Sequence, residues 1–372
     1  MAGCSFLAEY TPPTMEIRTL DARERPAVAR MLDDWRLAEG WSAGDRFRRQ
    51  VESDPGFSDE NVFVAVEKDR ILSVVSILPR QIRILGHLIP TGGLGNLYTD
   101  PDVRCRGIAT ELLERACDAM RTRGLELGVI FPGAPPATPE FFAKRGWHSW
   151  GGQQTILRRD AAGPSQVTSD SDDEIVLEPV LPEDERALQS VKSIHAAYGA
   201  SRSGTVVRDD DLWRACLKLI PAPREEFWIA RRGGLAVAYA RASIVDDALT
   251  ITELGRFEDG AGALAKLVAS LLEPRPKDVL IERSVDGRLT SEQLRSFLVL
   301  PTFDDLGLTV ALEHRAIRSH PMDDACASLR CVNLIGMASR LDVDLLPDEE
   351  GADFLRRILP PDAMVFWPAD RF

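Results

Sequence analysis

Hydrophobic and polar positions over the first 155 residues follow the pattern of a mixed α/β domain. Residues 15–20 form a predicted strand, and Asp21 begins a helix that should reach about Glu39, with Glu24 completing a capping box. A second helix is predicted over Ala43–Glu52. Strands are then predicted one after another, at Val62–Glu67, Ile71–Leu78, Gln81–Leu85 and Gly93–Thr99.

An amphipathic helix is predicted over residues 107–123. One face is apolar and the opposite face is charged, and the apolar face consists of Ile108, Leu112, Leu113, Ala116 and Met120. Gly124 suits the left-handed conformation that often ends a helix. The apolar run Leu125–Phe131 then predicts a buried strand, and a Pro-rich loop leads to Phe141–Trp147.

The junction between the strand Gly93–Thr99 and this helix predicts an anion site. Asp100-Pro101 ends the strand, and Arg104-x-x-Gly107-x-Ala109 opens the helix. The first turn of a helix has unpaired backbone N–H groups and a favourable dipole, so it attracts phosphate. Arg104 and Arg106 add positive charge. The motif is neither a Walker A loop nor a Gly-x-Gly-x-x-Gly dinucleotide turn.

The same order of elements restarts after an acidic linker at residues 160–174. Its strands and helices are predicted at Ile175–Pro179, Glu183–Tyr198, Arg224–Arg231, Leu235–Val245, Leu249–Leu254, 262–272 and Val279–Arg283. In place of the basic motif, residues 255–262 contain Glu258 and Asp259, which would repel a pyrophosphate. This half is therefore interpreted as structural or substrate-shaping, rather than as a second active site.

Composition narrows the classes of function. With 372 residues the chain has room for two or three domains. The net charge of −13 argues against a nucleic-acid partner and is compatible with a cationic substrate. No long apolar run or basic leader occurs, so we expect a cytoplasmic protein without a membrane partner. The six cysteines and five histidines show no metal-ligand spacing, and no metal is expected.

The motif at residues 104–109 resembles the pyrophosphate signature of the Gcn5-related N-acetyltransferase (GNAT) superfamily. Residues 89–107 sharpen this likeness toward the Eis (enhanced intracellular survival) family. That resemblance implies an α/β (α+β) fold of tandem GNAT-like domains. The expected boundaries are 1–159 for the catalytic domain, 160–174 for the linker and 175–289 for the degenerate domain. Residues 290–372 would complete the second domain, return toward the first, or form a reduced sterol-carrier-like domain.

The resemblance also implies an activity and a site. The expected reaction moves an acetyl or other acyl group from acyl-coenzyme A, a co-substrate, to a small-molecule or peptide amine. The implied coenzyme A contacts are Leu97, Tyr98, Thr99, Arg104, Cys105, Arg106, Gly107, Ile108, Ala109, Thr110 and Phe142. Family members form higher oligomers, so a homo-oligomer is a further expectation. The alternatives are an acyl-coenzyme A sensor with reduced catalysis, or an enzyme using another acyl donor on a peptide or natural product.

The catalytic groups are the open part of this hypothesis. Phe142 stands where the family has a general-acid tyrosine, and it has no proton to donate. Water, Thr138 or Ser149 would then protonate the leaving thiolate, or the reaction would need no general acid. The family's base is the terminal carboxylate, which here belongs to Phe372. Glu126 starts a strand and is weighed as a base that acts through water. The side chains weighed as a base, a nucleophile or acceptor-site walls, but favoured as structural residues, are His148, Cys105, Trp35, Trp41 and Phe47.

Overall fold

The computed structural model describes residues 15–37, 41–131, 138–150, 153–158, 175–218, 225–245, 248–273, 297–301, 316–321 and 327–359. These residues form two seven-stranded sheets with helices on both faces. Within the described ranges, no helix combines the length and the apolar character that crossing a membrane requires.

The first sheet has the strand order β1-β2-β3-β4-β5-β14-β6. Its strands are β1 (Glu16–Thr19), β2 (Val62–Glu67), β3 (Arg70–Ile84), β4 (His87–Thr99), β5 (Leu127–Ile130), β6 (His148–Trp150) and β14 (Ala327–Cys331). One face carries α1 (Arg25–Leu32) and α2 (Ala43–Ser53), and the other carries α3 (Ile108–Thr122) and α4 (Thr138–Ala143).

Alternation along the strands explains this layering. Val64 and Val74 pack with α1 and α2, whereas their neighbours Ala65 and Val75 pack with α3. Successive side chains of a strand point to opposite faces, so a strand buried on both sides must be apolar throughout. The predicted α3 face is confirmed, since Ile108, Leu112, Leu113, Ala116 and Met120 are all buried.

Three predicted boundaries were wrong. The strand predicted at Gly93–Thr99 begins earlier, at His87. The first helix ends at Leu32 rather than near Glu39. The strands predicted at 71–78 and 81–85 are one strand, β3, which continues through Pro79. β2 pairs with β3 only as far as Ser76, so beyond that point one edge of β3 has no β2 partner and tolerates a proline.

The second sheet has the order β13-β7-β12-β11-β10-β9-β8. Its strands are β7 (Gln153–Arg158), β8 (Ile175–Pro179), β9 (Glu226–Arg232), β10 (Leu235–Val245), β11 (Ala248–Arg256), β12 (Phe297–Pro301) and β13 (Ala316–Pro321). The helices α5 (Glu185–Ala200) and α6 (Asp210–Lys218) cover one face, and α7 (Ala261–Leu271) covers the other. The strand predicted at 279–283 lies outside the described residues.

The two halves exchange strands, so the sheets do not follow the predicted domain boundaries. β7, placed by the sequence analysis in the first domain, pairs with β12 and β13 of the second sheet. β14, placed in the C-terminal region, pairs with β5 and β6 of the first sheet. The chain after β14 forms α8 (Leu334–Leu341) and α9 (Gly351–Ile358), which pack on the first sheet.

This exchange predicts that the C-terminal strand contributes to the stability of the first domain. Leu329, in the middle of β14, is fully buried against residues of β5, α8 and α9. We expect Leu329→Ala to lower the free energy of unfolding by about 3 kcal/mol, because it leaves a cavity in a shared core. Urea unfolding followed by fluorescence measures this. Ile335→Ala, which changes a side chain 74% exposed, is the control and should change stability by less than about 0.5 kcal/mol. Equal effects of the two variants would contradict the shared core.

Candidate functional site

The first sheet opens between β4 and β5. The two strands pair in parallel only where Thr91–Leu94 lie beside Leu127–Ile130. β5 then ends, while β4 runs on to Thr99 with only β3 as a strand partner among the described residues. The residues from Gly95 to Thr99 therefore present a backbone edge to which an extended ligand with amide groups could add.

A β-bulge accompanies this opening. Between the pairs Val74–Tyr98 and Ser76–Gly95, the register of β4 shifts against β3. Asn96 lies in this shift with a φ of 55°, which an asparagine tolerates better than most residues. Its side-chain amide is buried and donates to Gln50 Oε1 at 2.8 Å. Bulges bend a strand and increase its twist, so this one helps to part β4 from β5.

Beyond the bulge, the side chains of β4 contact other parts of the protein, so the backbone is the part of the strand that a ligand can bind. Leu97 packs toward α3, and Tyr98 lies on the opposite face, where its ring stacks on Trp35 with centroids 5.8 Å apart. The hydroxyl of Thr99 is 2.8 Å from that of Ser73. These contacts hold the edge in place.

The turn after β4 is organised by its own side chains. The Asp100 carboxylate accepts the N–H of Asp102 at 3.0 Å, and Arg70 pairs with it from β3. The backbone bond, with the help of the guanidinium, lowers the pKa of Asp100. A short 3-10 turn over Pro101–Val103 follows and leads the chain to the start of α3.

The start of α3 forms an open cradle of backbone donors. Cys105 and Gly107 have φ angles of 63° and 83°, and α3 begins at Ile108. Within the described part of the chain, nothing accepts a hydrogen bond from the N–H groups of residues 105–109. Thr110 N–H donates to Gly107 O, which is the first bond of the helix. Free donors at a helix N-terminus form an anion site when an anion can reach them.

Gly107 is required by its conformation rather than by crowding within the protein. A Cβ added there would meet no atom of the protein within 4 Å. The left-handed φ nevertheless disfavours any side chain. The space beside the glycine is thus open, as a phosphate beside the cradle would require.

Three arginines lie in the cradle turn or contact the residues next to it. Arg104 Nε donates to Thr99 O at 3.1 Å, and Arg106 forms an exposed pair with Glu67. Arg145, which the sequence analysis did not single out, donates to Thr110 Oγ1 at 3.0 Å and lies 3.8 Å from the centre of the Phe141 ring. Its bond reaches the first turn of α3, so it brings α4 and a further positive charge to the cradle.

Comparison with known proteins fits this geometry. The sequence description of the acetyltransferase (GNAT) domain family matches residues 16–149. This match spans β1 to β5, α1 to α4 and the cradle, and we call residues 16–149 the GNAT domain after the family that they resemble. The family implies an acyl-coenzyme A donor. No curated protein sequence matches the chain.

Solved structures with low sequence identity are similar in fold over most of the chain. A probable N-acyltransferase from Enterococcus faecalis has 15% identity and a TM-score of 0.63, covering 88% of this chain and 75% of its own. Eis1 from Mycobacterium abscessus has 17% identity and a TM-score of 0.54, covering 88% and 76%. A tandem GNAT protein from the clavulanic acid pathway has 14% identity and a TM-score of 0.53, covering 86% and 99%. The chain therefore has a tandem GNAT-like fold.

Phe142, which the resemblance implied as a coenzyme A contact, has its side chain in the protein core. Its side chain is 2% exposed and lies in the core of the GNAT domain with α3. It makes edge-to-face contacts with Phe141 and Trp147, at centroid distances of 5.1 and 6.1 Å. Almost none of its surface is available to a ligand, because the apolar ring is more stable inside the core.

The carboxylate and imidazole weighed as bases lie elsewhere. Glu126 is buried and pairs with Arg340 of α8 at 2.7 Å, which ties the C-terminal helices to the sheet. His148 lies on β6, separated from β4 by β5 and β14. Burial, helped by the nearby Arg356, lowers the pKa of His148. Ser149 is on the same strand, while the Thr138 side chain and Phe372 lie outside the described residues.

The other side chains weighed as site residues differ in their burial and contacts. Phe47 is fully buried, and Trp41 stacks with Arg49, whose guanidinium is 3.9 Å from the ring centre. Cys105 is exposed in the cradle turn. Cys117, by contrast, is buried, and this burial raises the pKa of its thiol to about 11.

The second domain opens in the same way but has no cradle. β11 pairs with β12 in parallel at Leu249 and Thr250 only, with a bulge just beyond. The following turn is closed, because the Gly260 N–H donates to Phe257 O. A Cβ on Gly260 would lie 2.4 Å from Val237 O, so this turn packs directly on β10. Asp259 adds negative charge and pairs with Arg232.

The cradle geometry predicts a separation between binding and stability. We expect Gly107→Ala to weaken acetyl-coenzyme A binding at least about tenfold. The methyl group of the alanine would enter the anion site, and the left-handed φ would be strained. Isothermal titration calorimetry measures the affinity. Gly124→Ala is the matched control, since Gly124 also has a positive φ, at 72°, and open space, but lies at the other end of α3. Both variants should lose about 1–2 kcal/mol of stability. A similar loss of affinity in both would contradict the assignment.

Proposed function

We propose that this protein is an acyl-coenzyme A-dependent N-acyltransferase that acts on a primary amine by direct attack in a ternary complex. The observation that carries the proposal is the continuous path from the parted edge of β4 to the free N–H groups at the start of α3. The GNAT family match supports the acyl donor. The amine acceptor and the details of the mechanism belong to the proposal.

The cofactor's chemistry fits the two parts of the path. The backbone of Leu97, Tyr98 and Thr99 would pair with the pantetheine amides, as an added strand does. The pyrophosphate would accept hydrogen bonds from the N–H groups of residues 105–109, whereas the N–H of Thr110 already donates to Gly107 O. Arg104, Arg106 and Arg145 lower the electrostatic cost of holding its charges there, because a guanidinium stabilises nearby phosphate.

The reaction demands little chemistry from the protein. The acyl thioester supplies an activated carbonyl; the amine nitrogen bonds to the acyl carbon, the carbon–sulfur bond breaks, and the amine loses a proton. Holding both reactants at the opening of the sheet contributes much of the rate by proximity alone. A backbone N–H at the free edge of β4 can also stabilise negative charge that develops on the thioester oxygen.

Proton transfer does not use Phe142, and water is proposed to protonate the thiolate. The carboxylate of Phe372 is proposed as the base that takes the proton of the amine. Trp35 and Tyr98, stacked on the α1–α2 face beside the free edge of β4, are proposed as one wall of the acceptor site. A small-molecule or peptide amine, a cytoplasmic location and a homo-oligomeric assembly stay predictions.

A second candidate function is favoured by one observation. Phe142 fills the tyrosine position with a side chain that neither donates a proton nor leaves the core. A protein that binds acyl-coenzyme A through the same cradle, but catalyses weakly or not at all, would serve as a sensor. A longer acyl donor transferred to a peptide or natural product is the other variant of this alternative.

Amine-dependent thiol release distinguishes these functions. Purified protein with acetyl-coenzyme A should release free thiol in the presence of one class among polyamines, aminoglycosides, amino acids and lysine peptides. A thiol reagent measures the rate, and Gly107→Ala provides the control for release that does not use the cradle. Binding of acetyl-coenzyme A without release by any amine would favour the sensor or another acyl donor.

Alkylation of Cys105 tests the cofactor's location without catalysis. Cys105 is exposed within the cradle turn, so iodoacetamide should modify it readily. Bound coenzyme A should slow this modification at least about fivefold by covering the thiol, as peptide mass spectrometry can show. Cys117 is the internal control, because burial raises its pKa to about 11 and it should stay unmodified in both states. Unchanged labelling of Cys105 at saturating coenzyme A would place the pyrophosphate elsewhere.

A further inference from the structure

The second domain adds a short strand-like segment to the sheet of the GNAT domain. Residues 203–208, between α5 and α6, run along the edge of β3 beyond the end of β2. Gly204 N–H donates to Arg83 O at 2.8 Å, and Arg83 N–H donates to Thr205 O at 2.9 Å. Val207 N–H donates to Gln81 O at 2.8 Å. We call residues 203–208 the bridging segment.

Buried charges of the second domain hold the bridging segment at its end. Both terminal nitrogens of Arg208 donate to Glu253, at 3.2 and 2.8 Å, and neither side chain is exposed. Glu253 also accepts the Tyr239 hydroxyl at 2.6 Å and Arg241 Nη1 at 3.2 Å. Burial acts to raise the pKa of Glu253, but the two guanidinium groups outweigh it and hold the pKa well below its usual range. The carboxylate is therefore charged at neutral pH.

A histidine of the same cluster holds the middle of the bridging segment. His195 Nε2 is 3.3 Å from Val206 O, and its Nδ1 is 3.1 Å from the Tyr239 hydroxyl. Val206 is the residue that forms a bridge with Ile82 of β3. The position of the segment on β3 is thus fixed by groups that lie wholly within the second domain.

The strand that receives the segment also supports the proposed acceptor side. Arg80, next to Gln81, forms a buried ion pair with Asp54, which ends α2. One turn earlier in α2, Gln50 accepts the side-chain amide of Asn96 at the bulge of β4. The α2 helix also packs against α6. A continuous series of contacts therefore joins Glu253 to Asn96, at the bulge beside the opening between β4 and β5.

We infer that Arg208 and Glu253 are positioning residues for amine transfer: through the bridging segment, they hold β3 and α2 in the arrangement that shapes the acceptor side of the GNAT domain. This inference rests on the proposed function for its kinetic consequence. Removing one member of a buried charge pair leaves the other without compensation, so the segment should loosen from β3. The cradle lies on the α3 side of the sheet and should be affected little.

Glu253→Gln tests the inference, with Glu178→Gln as the matched control. Glu178 forms an exposed pair with Arg231 in the same domain. The N–H of Leu85, like that of Arg83, reports on the segment, because it donates to Ser203 Oγ at 3.0 Å. In Glu253→Gln, hydrogen exchange should accelerate at Arg83, Leu85 and across α2, while exchange across α3 and acetyl-coenzyme A affinity stay within about twofold of wild type. The KM for the amine should rise by about 3- to 30-fold, the size expected for coupling through a packed network. The control should match wild type in every measurement.

Arg208→Lys decides the case if Glu253→Gln fails to fold. Lysine keeps the charge but loses the two-point contact, so a smaller shift in the same direction is expected. Unchanged exchange at Arg83 and Leu85 in a folded variant would overturn the inference, as would an equal loss of acetyl-coenzyme A and amine affinity. The hydrogen-exchange measurement does not require the protein to be catalytically active. Absence of thiol release by the wild-type protein would therefore refute the proposed function and leave this coupling measurable.

Discussion

The parting of β4 from β5 is the constraint on which the rest of the site depends. A parallel pair that ends after Leu94 and Ile130 leaves backbone donors and acceptors of β4 without a strand partner. Such groups are costly when they stay unpaired, so an opening of this kind is stable only when water or a ligand satisfies them. The bulge at Asn96, the buried Gln50 contact and the stacked Tyr98 hold the opening in place. The cradle then lies directly after this edge along the chain.

The strand exchange explains why the two halves of the chain act together. β14 completes the first sheet and β7 completes the second, so neither sheet is whole without a segment from the other half. The core around Leu329 contains residues from β3, β5, α6, α8 and α9, which belong to both halves. Loss of packing at this core should therefore be felt in both domains. The linker at residues 160–174 separates the two halves along the sequence, although the exchange of β7 and β14 joins the two sheets.

The parts of the site that sequence could predict are local ones. Arg104, Gly107 and the amphipathic pattern of α3 together specify a strand, a turn and a helix N-terminus, and each signal acts within a few residues. Arg145 was missed because its contact with Thr110 joins residues 35 positions apart and depends on how α4 packs on α3. The surroundings of Phe142 also depend on packing, since a family position does not say whether an aromatic ring faces the ligand or the core. The exchange of β7 and β14 was also beyond reach, because strand patterns do not identify their partners.

Glu253, Arg241 and Arg208 show a deeper limit of sequence reasoning. Charged residues on strands and loops ordinarily indicate a solvated face, yet these side chains are buried together in the second domain. Burying ionised groups carries a desolvation cost that hydrophobic residues would avoid, so such a cluster is weak evidence for stability alone. It fixes geometry well, since each group accepts only a partner of the right charge and direction. The turn at the cradle position of this domain is closed and acidic, so binding of a cofactor there does not explain the geometry. The inferred role of Arg208 and Glu253 explains it, because their contacts with β3 would hold the proposed acceptor side of the neighbouring domain.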